Sequence, residues 1–303
     1  MSETDHDQHI TWRNLLAHTA DILGDRVVAK WLCEHASGCD ADEFSHILDE
    51  YVSQRSGVQL DAMVRRYAAG EPVQYVMGRW AFRHLDLMVD QRVLIPRPET
   101  ELIVDIVHEY LNHSRADVLV ATATQRTSQV AIADLGTGSG AIGLSLLQEL
   151  PSGAATVWMT DASAGAIDVA RANSAGLGGK AAGAQFAVGE WFDALPHDLM
   201  GTFDVVVSNP PYIAINDSEV ERSVNEWEPH SALFAGDDGL SDIRTIVREA
   251  PTWLVPSGLL VVEMGYTQAD AVSRLFTDAG FSNVSVHNDL AGHHRFVSGI
   301  ANL

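Results

Sequence analysis

Between Ile10 and Gly70 the apolar residues recur at helical spacing and never alternate as strand residues do. Trp12, Leu15, Leu16, Ile22 and Leu23, with Thr19 filling the turn between, predict a first helix. Ala29, Trp31, Leu32 and Cys33 predict a second, Phe44, Ile47, Leu48 and Tyr51 a third, and Leu60, Met63, Val64 and Tyr67 a fourth, stopped at Gly70-Glu71-Pro72. The pattern then changes. Leu85, Leu87 and Val89 alternate inside a hairpin predicted over Ala81–Ile95. Thr100 or Glu99 can open a helix over Leu102–Leu111, and Ser114–Gln129, rich in Ala, Thr and Ser, reads as an inserted loop. Beyond it strands and helices alternate. Strands are expected at Val130–Ala133, Thr156–Thr160, Gln185–Val188, Phe203–Val207, Leu259–Glu263, Ser282–His287 and Arg295–Gly299. Helices are expected at Ala141–Leu150, Ala164–Ala175, Ser241–Leu254 and Thr267–Ala279. This is the pattern of an α/β fold with a doubly wound, mostly parallel sheet. The expected division is a helical domain over 1–75, a hairpin linker over 76–101 and the α/β domain over 102–303. The helical domain serves either packing or the grip on a macromolecular substrate.

Composition narrows the function. With 46% hydrophobic and 20% charged residues the chain reads as a soluble protein. No apolar run is long enough to span a bilayer, and Met1–Asp7 has neither a basic nor an apolar segment of a secretory signal, so a cytoplasmic location is expected. Two cysteines, Cys33 and Cys39, make no disulfide framework and no zinc site, and His6, His9, His293 and His294 read as solvated side chains, so no metal is expected. The 19 basic and 41 acidic residues leave a net charge of −22. That charge repels a phosphate backbone and argues against direct binding of nucleic acid, while it suits a protein partner with a basic surface.

Asn209-Pro210-Pro211-Tyr212 follows the apolar run Phe203–Ser208. Two prolines force the chain out of the sheet in a stiff, extended turn. The turn holds an amide side chain, carbonyls without a competing N–H and an aromatic ring, a set able to grip a planar NH2 group. A Pro-rich loop with a core tyrosine is the plainer alternative. Asp134-Leu135-Gly136-Thr137-Gly138-Ser139-Gly140 lies between the first strand of the sheet and its first helix, where open α/β sheets bind nucleotides. Gly138–Gly143 also matches the dinucleotide fingerprint literally. Asp161, at the end of the next strand, can accept from a ribose diol or cap the following helix. Trp191 can lie against an adenine, Glu190 can cap or accept from it, and Phe192 reads as core.

Three motifs in this order, with Leu94–Glu101, Glu190-Trp191-Phe192, Glu228-Pro229, Gly239-Leu240, Glu263-Met264-Gly265 and Asp289–Gly292, resemble the HemK/PrmC family of peptide chain release factor glutamine methyltransferases over nearly the whole chain. The resemblance implies a class I methyltransferase fold (Rossmann-like, seven-stranded, mostly parallel) behind a small helical substrate-recognition domain. It implies S-adenosylmethionine as cofactor, held by Gly136, Thr137, Gly138, Ser139, Gly140, Asp161, Glu190, Trp191 and Asn209. It implies bacterial class I release factors as protein substrates, methylated on the glutamine amide nitrogen of their Gly-Gly-Gln motif. Asn209, Pro210 and Tyr212 are then the catalytic residues, with Pro211 and Arg97 completing the substrate site. Trp227, Glu190 and the length of Ser114–Gln129 depart from the family pattern. Three rivals stand beside this reading, one of them a non-catalytic cofactor-binding module, which the complete Asn209–Tyr212 turn argues against. An adenine or cytosine amino-methyltransferase shares an N/D-P-P-Y/F motif, and a NAD-dependent dehydrogenase explains the glycines and Asp161 but not Asn209–Tyr212.

Overall fold

The structure, a computed structural model, describes residues 10–114, 129–217 and 221–302. It falls into two compact units, Met1–Gly78 and Arg79–Leu303. The first holds helices α1 (Trp12–Leu23), α2 (Arg26–Ser37), α3 (Ala41–His46), α4 (Gln54–Ala68) and α5 (Val73–Met77). Side-chain caps start the first four: Thr11, Asp25, Asp40 (in a reciprocal capping box with Glu43) and Ser53 each accept from backbone N–H groups of the first turn. Trp12, Leu32, Phe44 and Leu60 form the core, with Trp12 edge-on to Phe44 at 5.6 Å.

Two local readings change here. The third helix ends at His46, short of Ile47, Leu48 and Tyr51. The chain leaves the helix because its next carbonyls serve α1: Arg13 N donates to Leu48 O at 2.8 Å and Trp12 N to Glu50 O at 3.1 Å, which satisfies donors that a helix start leaves open. Tyr51 is consequently exposed. Helix α5 was not expected beyond the Gly70-Glu71-Pro72 stop. The Arg66 guanidinium holds it, donating to both oxygens of buried Glu71 and to the carbonyls of Tyr75 (3.0 Å) and Val76 (3.1 Å).

The second unit opens with a hairpin of β1 (Arg79–Phe82) and β2 (Leu85–Met88), shorter than the predicted Ala81–Ile95. It ends at Met88 because the Asn173 side chain takes both backbone groups of that residue, at 2.7 and 3.1 Å. A 3₁₀ turn at Pro98–Thr100 leads into α6 (Glu101–Ser114). Thr100 does not cap this helix; its hydroxyl is bonded elsewhere. Of the expected Ser114–Gln129 insertion, 115–128 lie outside the described residues.

Strands β3 (Val130–Leu135), β4 (Ala155–Asp161), β5 (Ala184–Val188), β6 (Phe203–Ser208), β7 (Leu254–Glu263), β8 (Phe281–Asn288) and β9 (His294–Ala301) form one seven-stranded sheet in the order β5-β4-β3-β6-β7-β9-β8. The pairs from β5 to β7 are parallel, and β9 runs antiparallel to both neighbours. Ile132, Val205 and Val261 pack in a core with α6 and α7 (Ala141–Glu149). Their neighbours Ala133, Val206 and Leu260 pack on the other face with α8 (Ser241–Trp253) and α9 (Ala269–Asp278). Burial on both faces explains why these strands read as unbroken apolar runs. Strand order reverses at β3, so the crevice beyond β3 and β6 is the ligand position of such a sheet. The turns after β3, β4, β5 and β6 all emerge at that end. Among the described residues no helix is long and apolar enough to cross a membrane.

Candidate active site

The glycine turn after β3 is held from beneath. Asp134 is fully buried, and its Oδ2 accepts from Thr137 Oγ1 (2.6 Å) and Gly143 N (2.9 Å). Burial pushes this carboxyl up to about 6. The Ser139 carbonyl accepts from Asn173 Nδ2 at 2.9 Å, which ties the turn to the end of the hairpin. Gly136 has φ 70°, and a Cβ there would stand 3.3 Å from the Trp191 ring. The turn is thus shaped to leave room above bare backbone.

Asp161 is engaged at both oxygens, accepting from Gly138 N (3.0 Å) and Ser163 N (2.8 Å). It does not cap the next helix, Ala164–Leu177; Ser163 does, by accepting from Ala166 N at 3.2 Å. Each carboxylate oxygen has a second lone pair, so Asp161 can still accept two hydroxyls. Glu190 precedes the 3₁₀ turn Trp191–Ala194 without capping it. Trp191 itself has φ 43°, a strained backbone for a non-glycine residue, and such strain concentrates at functional sites. Its side chain is hydrogen-bonded to Asp242, whose carboxyl burial raises. Phe192 lies in the core, stacked on Trp253 at 5.6 Å.

After β6, Asn209 donates through Nδ2 to Thr100 Oγ1 at 3.2 Å, and Thr100 donates to Glu263 Oε2 at 2.7 Å. The Tyr212 hydroxyl donates to the other oxygen, Oε1, at 3.4 Å. Burial pushes Glu263 up to about 7 against these donors and the nearby Arg295. Burial, and then Glu263, also push the Tyr212 phenol up, so it stays a neutral donor. The Tyr212 carbonyl accepts from Gln268 Nε2 at 3.0 Å. Gly239, at φ 71°, lets this carbonyl approach; a Cβ there would sit 2.2 Å from it.

Arg97, expected at the substrate, donates to buried Glu228 Oε1 at 2.6 Å, while Glu228 Oε2 accepts from Ile95 N at 3.0 Å. The pair pins the segment before Pro98 as one wall. A cavity of about 310 Å³ results. Gly136, Thr137, Gly138, Ser139, Asp161, Glu190, Trp191, Asn209, Pro211 and Arg97 line it; Gly140, Pro210 and Tyr212 do not. Thr100 and Asp242 line it as well, although neither was expected from the sequence. An indole over bare glycine backbone and a carboxylate beside it suit an adenine and a ribose diol.

Residues 11–78 match the model of the PrmC N-terminal domain, and residues 114–226 that of the methyltransferase small domain. A release factor glutamine methyltransferase of Xylella fastidiosa (strain 9a5c) is 39% identical over 276 residues, 91% of this chain and 93% of that protein. The chain belongs to the release factor glutamine methyltransferase family. A second member, from Burkholderia pseudomallei (strain K96243), is 38% identical over 91% of the chain and 92% of its own length. The HemK/PrmC resemblance drawn from the motifs is therefore a true kinship. The N-terminal domain of human METTL16 in complex with SAH, 11% identical with a TM-score of 0.50 over 100% of this chain and 98% of that one, shares the fold.

Proposed function

We propose that this protein transfers a methyl group from S-adenosylmethionine to the side-chain amide nitrogen of the Gly-Gly-Gln glutamine in bacterial class I release factors. The observation that carries this reading is Asn209: its NH2 is spent on Thr100, so its carbonyl oxygen remains as an acceptor in the same cavity as the glycine turn and Trp191. The names of the relatives support the substrate, and a net charge of −22 favours a protein over nucleic acid.

Gly136–Gly140, Asp161, Glu190 and Trp191 would hold the cofactor, with Asn209 at its border. When bound, S-adenosylmethionine supplies an electrophilic methyl group. The protein's task is to make an amide nitrogen act as nucleophile although its lone pair is delocalised. Asn209 Oδ1 and the Pro210 carbonyl accept its two hydrogens and fix its direction. Both acceptors gain as positive charge develops on nitrogen. Tyr212 covers one face of the amide. No strong base is required, because an N-alkylated amide cation gives up its proton to water. Arg97 acts through Glu228 by holding the cavity wall. The helical unit supplies discrimination among glutamines, which a single side chain cannot provide. Incubation with labelled S-adenosylmethionine should label an intact release factor and leave oligonucleotides unlabelled; label in the oligonucleotides alone would favour the base-methylating rival.

A further inference from the structure

The β6–β7 register pairs Ser208 with Val262, which sets Glu263 level with the point where β6 gives way to Asn209. Glu263 is 1% exposed, a carboxylate buried at the end of a central strand. It meets the Thr100 hydroxyl on one oxygen and the Tyr212 hydroxyl on the other. The remaining charged groups near it are Arg295 of β9, itself bonded to Asp289 at 3.1 Å, and Glu99 of the 3₁₀ turn. A buried carboxylate is an expensive way to fill space.

We propose that Glu263 is a positioning residue that sets, through Thr100, which face of the Asn209 amide the substrate meets. The inference rests on Asn209 being the acceptor for the substrate amide. A threonine hydroxyl carries one proton. An ionised Glu263 is an acceptor only, so that proton points at Oε2. Thr100 Oγ1 then presents lone pairs to Asn209 and takes its NH2, and the carbonyl oxygen turns outward. Protonation of Glu263 reverses the chain of donors. The carboxyl then donates to Thr100, the hydroxyl proton swings to Asn209, and the amide turns to place its NH2 before the substrate. Two NH2 groups facing each other cannot bind. Glu263 must therefore be ionised in the active enzyme, and turnover rises with pH through its titration, which burial places at about 7.

The test uses the full chain with release factor as substrate. Glu263→Gln should lower kcat about 10–100-fold, the usual loss when a supporting shell is removed, and abolish the acid limb of the kcat–pH profile. KM for release factor and the affinity for S-adenosylhomocysteine should stay within about three-fold, the signature of a defect confined to the transition state. Thr100→Val should reproduce this loss, Thr100→Ser should recover most of it, and the double variant Thr100→Val/Glu263→Gln should be no worse than either single one. An independent readout needs no turnover. With 15N-asparagine labelling, the Asn209 NH2 signal (assigned by its loss in Asn209→Ala) should shift with the Glu263 titration and stop shifting in Glu263→Gln and Thr100→Val. A pH-silent Asn209 signal, unchanged kcat in either single variant, or a parallel fall of kcat, cofactor affinity and Tm would overturn the proposal. If Glu263→Gln does not fold, the Thr100 pair decides. A wild-type signal that titrates in a protein inactive on release factor would instead reject the substrate and leave the relay standing.

Discussion

Replacing Asp161 by alanine isolates cofactor binding from catalysis. The carboxylate accepts from Gly138 N at 3.0 Å and Ser163 N at 2.8 Å, and Asp161 lines the cavity with a lone pair left on each oxygen. Hydrogen bonds to a charged acceptor are worth about 1.5–3 kcal/mol each, less the desolvation already present in this half-buried site. Loss of two ribose hydroxyl contacts should therefore cost about 2–3 kcal/mol, or ~30–150-fold in affinity for S-adenosylhomocysteine. Stability should move much less. Ser163 is exposed and Gly138 partly so, so both freed N–H groups reach water. Burial raises the Asp161 carboxyl, which means its ionised form is already disfavoured in the fold. Asp161→Asn keeps one acceptor but sets an NH2 against a backbone donor, and should fall between wild type and alanine. Calorimetric titration with S-adenosylhomocysteine beside a thermal melt decides. Affinity within about two-fold of wild type would return Asp161 to a purely local brace of the glycine turn.

Asn209→Ala should reduce kcat at least ~100-fold, the scale for one preorganised acceptor, with cofactor affinity held within a few-fold by calorimetry. Gly239→Ala should destabilise by about 1–2 kcal/mol or more and depress turnover, since its Cβ meets the Tyr212 carbonyl at 2.2 Å in a left-handed backbone; melts and kinetics report both. Glu263 and Asp134 have raised pKa values, about 7 and about 6, so the folded chain keeps protons that the unfolded chain has already released. Their contribution to stability is present at low pH and lost as pH rises through those values, and Glu263→Gln should flatten the decline in Tm between pH 5 and 8. A chain restricted to residues 79–303, the second unit, should retain S-adenosylhomocysteine binding and lose mainly kcat/KM for release factor; loss of cofactor binding as well would assign the helical unit a structural role.

The sheet was legible because buried parallel strands are continuous apolar runs between helical periods, and the glycine and proline turns announce themselves by residue type. Where the reading failed, long-range partners had decided the local structure. Ile47, Leu48 and Tyr51 have helical spacing, yet the carbonyls of Leu48 and Glu50 in this stretch serve the first turn of α1, more than thirty residues away. Nothing in Val73–Met77 announces a helix, since Arg66 of α4 secures it. Thr100 has the sequence of a helix cap, but its hydroxyl serves Glu263, 163 residues on. Asp242 lines the cavity beside the Trp191 indole, a place that only the fold gives it. Residue type located the turns that carry the chemistry; the groups that aim those turns emerge only from the fold.

The central claim is most directly met by mass spectrometry of a tryptic digest of release factor after incubation with this protein and S-adenosylmethionine. The account predicts one added methyl group on the peptide bearing Gly-Gly-Gln, with fragmentation placing it on the glutamine side chain, and no such addition with Asn209→Ala. An unmodified Gly-Gly-Gln peptide under conditions where the protein binds its cofactor, or a methyl group on a different residue, would contradict it.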